Sequence, residues 1–91
     1  MTAPTPSLPE AAAAHHPSVQ DVVQYLQSSH LPPELQAVAQ PFEDAAAHVL
    51  TAVHQSSPEL TVAMRKLLEG KDAAVRAAGS LFGLIHNPVN Q

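Results

Sequence analysis

Four side chains, Arg65, Lys66, Lys71 and Arg76, carry all the fixed positive charge of this 91-residue chain, and they fall within one span of twelve residues. Eight acids stand against them, six of which lie before residue 65 in a stretch that has no Lys or Arg. If the protein handles an anion, that one span must supply the cations. Immediately before it, Ser56, Ser57 and Thr61 surround a helix start. Unpaired N–H groups there, the positive end of the helix dipole and the three hydroxyls make a generic phosphate site, with Arg65 one turn beyond Thr61. Aromatic surface for stacking a base is limited to Tyr25, Phe42 and Phe82. Phe42 fits an apolar seam, which leaves Tyr25 as the freer stacking candidate.

Other chemistries find less support. There is no cysteine, so thiolate metal sites, disulfides and Cys nucleophiles are excluded. The six histidines do not adopt metal-ligand spacing: His48 and His54 are six apart, His15 and His16 are adjacent, and His30 and His86 stand alone. No metal or cofactor is expected. The acids sit at helix starts or opposite the apolar seam, and Ser56, Ser57 and Thr61 are accounted for by capping, so no catalytic group is assigned and no enzyme is expected. A formal charge of −4 without a basic run argues against duplex nucleic acid. No stretch approaches the ~20 apolar residues that span a bilayer, and the N-terminus lacks the basic and apolar regions of a signal peptide, so a cytoplasmic location is expected.

These residues need elements to position them. Prolines at 4, 6, 9 and 17 mark residues 1–17 as a disordered tail with at most one helical turn at Ala11–Ala14. Residues 18–91 form one helical domain. Val19, Val22, Val23 and Leu26 follow helical spacing behind a Ser18 cap, predicting a short helix over 18–29 that is broken by Pro32 and Pro33. Leu35, Ala39, Phe42, Ala46, Val49 and Val53 then repeat at intervals of four and three, the seam of a packed helix. Pro41 interrupts it, so the helix either kinks near Ala37–Gln40 or restarts at Pro41. Ser57 as N-cap and Pro58 as first residue open a second long helix. Its seam runs Leu60, Met64, Leu67, Lys71, Ala74, Ala78, and it ends near Gly79. Without period-two runs no sheet is expected. The fold class is all-α: an antiparallel helical hairpin over about 34–79 with a short extra N-terminal helix, followed by an apolar coda, Leu81–Ile85, closed by Asn87–Pro88.

Lys71 occupies a seam position where the spacing wants Leu. Either its stem packs while the ammonium reaches water, or the stripe opens on a pocket or subunit interface where a fixed cation meets an anion. Asp72 and Arg76, four apart, form a surface ion pair on the other face.

The run Ser57-Pro58-Glu59-Leu60-Thr61-Val62-Ala63-Met64-Arg65-Lys66-Leu67-Leu68-Glu69 resembles the signature of the small phage-encoded helical hairpin domain of cyclic-oligonucleotide sponges, which counter the CBASS and Thoeris bacterial defences. Ser57, Glu59, Thr61, Ala63 and Lys66-Leu67 with Glu69 carry the pattern. The continuation 71–77, with His30–Leu35 and Pro41-Phe42, resembles the variety common in actinobacterial phages, over roughly residues 30–78. The resemblance implies a hairpin that forms a homo-oligomer and sequesters cyclic di- or trinucleotides between protomers in the host bacterial cytoplasm, with no reaction. It assigns Thr61 to ligand phosphate or base and Phe42 or Tyr25 to the aromatic face. Pro58 departs from the pattern, replacing a basic residue after the turn Ser and leaving Arg65, Lys66 or Lys71 of a neighbouring subunit to supply the charge. A thin, alanine-rich core independently favours oligomerisation, because domains this small bury only about 60% of the surface their unfolded chains expose. The competing expectation is a structural helical-hairpin interaction module that self-associates or binds a partner protein and takes no small ligand.

Overall fold

A computed structural model describes residues 6–81, and the fold among them is all-α with no strand. Helix α1 spans Leu8–Ala13, α2 spans Pro17–Val23 and runs into a 3₁₀ turn over Gln24–Leu26, α3 spans Pro33–Ala52, and α4 spans Pro58–Leu81. The coda beyond Leu81, with Phe82 and Asn87–Pro88, lies outside the described residues, as do residues 1–5.

The hairpin is α3 and α4, joined by residues 53–57. Its antiparallel sense follows from the pairing of Phe42 with Gly70, at comparable distances on either side of that turn. A Cβ at Gly70 would lie 3.0 Å from the Phe42 ring, so the glycine lets the ring close on the α4 backbone. Pro41 does not stop α3, which continues through it. The proline removes the donor to Ala37, but both residues are exposed, where water can satisfy the freed carbonyl. Gly79 likewise lies inside α4 rather than ending it.

The expected tail over 1–17 is corrected for residues 8–17. Ser7 caps α1 in a reciprocal capping box with Glu10, and Pro9 sits in the first turn, where its missing N–H has no consequence. Leu8, Ala11 and Ala12 join Val19, Val22, Val23, Leu26, Ala46, Ala47, Leu50, Leu60 and Met64 in one core. Helix α1 packs on α3 and α2 packs on α4, so the N-terminal segment covers one side of the hairpin. That cover explains why burial on α3 leaves the predicted seam: Ala47 and Leu50, outside it, are buried, whereas Val53, inside it, is 41% exposed. Helix α2 starts earlier than expected. His16, not Ser18, is its N-cap, accepting from the Ser18 N–H at Nδ1, with Pro17 as first residue.

The capping box sets a pH signature. The Glu10 carboxylate accepts from the Ser7 backbone N–H at 3.1 Å and from the Ser7 hydroxyl at 2.9 Å. These bonds, the backbone one foremost, hold its pKa below the usual glutamate value. A lowered folded-state pKa means that its contribution is complete above the unfolded value and is lost as pH falls through the folded one. An NMR titration is therefore expected to find the Glu10 midpoint below that of free glutamate, and Ser7→Ala, which removes the hydroxyl donor but keeps the backbone N–H, to raise it only part of the way back.

Candidate functional site

Ser57 Oγ accepts from the Leu60 N–H at 3.1 Å, which fixes the start of α4. From this cap the helix presents Thr61 one turn on and Arg65 another turn on. Packing of α2 against α4 sets His16 and Ser18 opposite them. Together with Ser56, Ser57, Pro58, Thr61, Val62 and Arg65 they line a cleft of about 530 Å³. In a chain with twice as many acids as bases, the residues lining this cleft include an arginine and no carboxylate. Arg65 is exposed, and no ion-pair partner for it occurs among the described residues. The Ser57 hydroxyl accepts from Leu60 and keeps its own proton available, while Thr61 Oγ1 turns back to the Ser57 carbonyl at 3.4 Å.

Ser56 ties this cleft to the interior. Its Oγ accepts from the His16 N–H at 2.9 Å and lies 2.9 Å from His15 Nδ1. The His15 ring is buried, and its Nε2 meets the Leu50 carbonyl at 2.9 Å. Leu50 lies in the last turn of α3, where carbonyls lack helical donors, so His15 caps that helix from another part of the chain.

Three of the seven residues singled out for ligand contact, Ser57, Thr61 and Arg65, thus share one cleft, and four do not. Lys66 is exposed on α4 and pairs with Glu69 at 3.6 Å, a surface contact worth little. Asp72 and Arg76, the pair expected from spacing, are not joined; Lys66–Glu69 is the ion pair found among the described residues. Phe42 is half-buried against the core and Gly70, with its ring committed to packing. Tyr25 is 61% exposed, but its carbonyl is held by Lys71. Lys71 sits about 9 Å further along α4 than Arg65.

The expected escape of the Lys71 ammonium to water is corrected. The residue is 4% exposed, so the ammonium does not reach water. It donates to the carbonyls of Tyr25 at 2.5 Å and Gln27 at 3.1 Å, where the helical segment from Pro17 ends. A cation at a helix C-terminus meets the negative end of its dipole. Nearby, Glu43 accepts from the N–H and hydroxyl of buried Ser28, each at 2.8 Å, closing the same joint from α3.

Residues that spacing did not single out for the cleft are His16 and Ser18, together with His15 behind Ser56. The available signal was local: a polar residue followed by Pro17 is a helix start, and it places the two histidines at a junction rather than in a tail. Among the described residues no three His, Asp or Glu side chains converge on a metal-sized site, and no helix is long and apolar enough to cross a membrane. Comparison with known proteins adds no relative: neither a family model, a curated protein nor a solved structure matches the chain.

Proposed function

We propose that this chain is a non-catalytic binding protein that holds a small phosphate-bearing molecule in the cleft between α2 and the start of α4. The observation that carries this reading is the convergence of Ser57, Thr61 and Arg65, with Ser18, Ser56 and His16, on one cleft whose lining has no carboxylate. Its volume lies within the ~300–1,000 Å³ common for small-ligand sites. Hydroxyls and the start of α4 supply donors, and Arg65 can engage two phosphate oxygens at once.

The ligand class we assign is a cyclic di- or trinucleotide, as the resemblance of the 57–69 run implies. Sequestering such a signal without turnover would deprive a bacterial anti-phage effector of its activator. One arginine balances only part of a ligand with two or three phosphates. A homo-oligomer that brings clefts together would repeat Arg65, and exposed Lys66 is available to a neighbouring copy.

A thermal-shift and calorimetric screen of the folded chain against cyclic di- and trinucleotides, at low and moderate salt, tests this. Stabilisation that weakens as salt rises is expected. If none of them stabilises the protein, the sponge reading fails and the helical interaction module without a small ligand takes its place. For a ligand that binds, Arg65→Ala is expected to weaken affinity about tenfold or more, the loss of one charge-assisted contact. Folding stability should change by less than about 0.5 kcal/mol, because the side chain is exposed and has no ion-pair partner among the described residues.

A further inference from the structure

The buried His15 ring is hydrogen-bonded to a cleft-lining atom, Ser56 Oγ, and that contact has a direction which protonation reverses. The Leu50 carbonyl can only accept, so His15 Nε2, 2.9 Å away, carries a hydrogen in either charge state of the ring. In the neutral ring Nδ1 is therefore bare, and the contact at 2.9 Å is Ser56 O–H donating to it. Ser56 Oγ also accepts from the His16 N–H. One tetrahedral corner of the oxygen remains, and in the neutral state it is a lone pair. When the ring is protonated, Nδ1–H donates to Ser56, both lone pairs are filled by N–H groups, and the hydroxyl proton must take that last corner. Ser56 is exposed and lines the cleft, so the remaining corner is the one open to solvent and ligand.

We infer that His15 is the specificity-determining residue of the cleft: its protonation converts Ser56 from an acceptor into a donor, so that an anion binds there together with a proton. This rests on the anion-binding reading proposed above and adds its regulation. The exchange needs no movement of heavy atoms, since every bond at the node persists with donor and acceptor interchanged. The charged and titratable groups on the surrounding elements take no part in the bond. Glu10 on α1 is folded back on Ser7. No hydrogen bond joins the His15 ring to Asp21 on α2, to His54 after α3, or to Glu59 or Arg65 on α4. His48 of α3 is exposed on a separate groove with Glu43 and Asp44. His16 lines the cleft itself, so the test replaces it. Asn at that position keeps a capping acceptor for the Ser18 N–H and does not titrate.

Sulfate, which stays fully charged across the histidine range of roughly pH 5 to 8, is titrated into the ¹⁵N-labelled His16→Asn chain at constant ionic strength. Two-dimensional spectra report binding at the cleft amides, and long-range ring ¹⁵N spectra report the His15 tautomer. The expected result is an Nε2–H tautomer at high pH and a sulfate affinity that rises about tenfold from pH 8 to pH 5.5. Adding Ser56→Ala should make the affinity independent of pH. An Nδ1–H tautomer, a pH-independent affinity with Ser56 in place, or the same pH dependence after Ser56→Ala would each overturn this inference and leave the binding reading intact. Failure of the folded chain to bind sulfate at any pH would instead remove the anion-binding reading, and this inference with it.

Discussion

Replacing Lys71 with Met is expected to lower folding stability by about 2 kcal/mol, and replacing it with Ala by about 3 to 4 kcal/mol, as measured by urea unfolding. The two variants separate two contributions. Met keeps most of the stem volume, so its cost reports the two carbonyls of Tyr25 and Gln27 that lose a charged donor. Such hydrogen bonds contribute about 1.5 to 3 kcal/mol, and water recovers part of the loss at this partly buried joint. Ala additionally leaves a void beside the core, and deletions of that size cost a further ~1 to 2 kcal/mol even where neighbours relax. A lysine that merely lay along the surface would give less than about 0.5 kcal/mol in either variant. That outcome would show the Lys71 joint to be dispensable. Because the ammonium is used within the chain, Lys71→Met that remains folded should bind an anion as the unaltered chain does, whereas Arg65→Ala should not.

The seam arithmetic was enough to place Lys71 in the buried stripe of α4, and it was insufficient to say what the ammonium would meet. Interval spacing reports which face of a helix is covered, but the carbonyls that cover this one come from residues 44 and 46 positions away. The same division runs through the candidate site. Ser57 as a cap, Pro58 as the first residue and the exposure of Arg65 depend on neighbours within a turn, and they could be read directly from the sequence. The other wall of the cleft, His16 and Ser18, arrives by packing of α2 on α4, for which no local pattern exists. Phe42 shows the intermediate case: its seam position is right, yet how deeply it seats depends on Gly70, which spacing treats as just another position of α4.

The N-terminal segment is where local reasoning misled, and it yields the second large prediction. Four prolines in the first seventeen residues look incompatible with structure, but Pro9 and Pro17 each stand in the first turn of a helix, where proline is tolerated. The Ser7–Glu10 capping box was present as a signal. A six-residue helix cannot persist alone, so that signal carries weight only if tertiary contacts complete it. They do: Leu8 is 1% exposed in the same core as Ala47 and Leu50 of α3. Leu8→Ala is therefore expected to cost about 3 kcal/mol, within the usual range for a buried leucine, and to lower the urea midpoint accordingly. In a disordered tail the same substitution would leave the midpoint unchanged, so the measurement decides between the two. The effect should also extend beyond α1. The segment leads directly into His15, which caps Leu50 and holds Ser56 at the cleft. Loosening α1 should therefore increase hydrogen exchange at the end of α3 and at residues 55–58 before it reaches the middle of α4, where Lys71 holds the carbonyls of Tyr25 and Gln27.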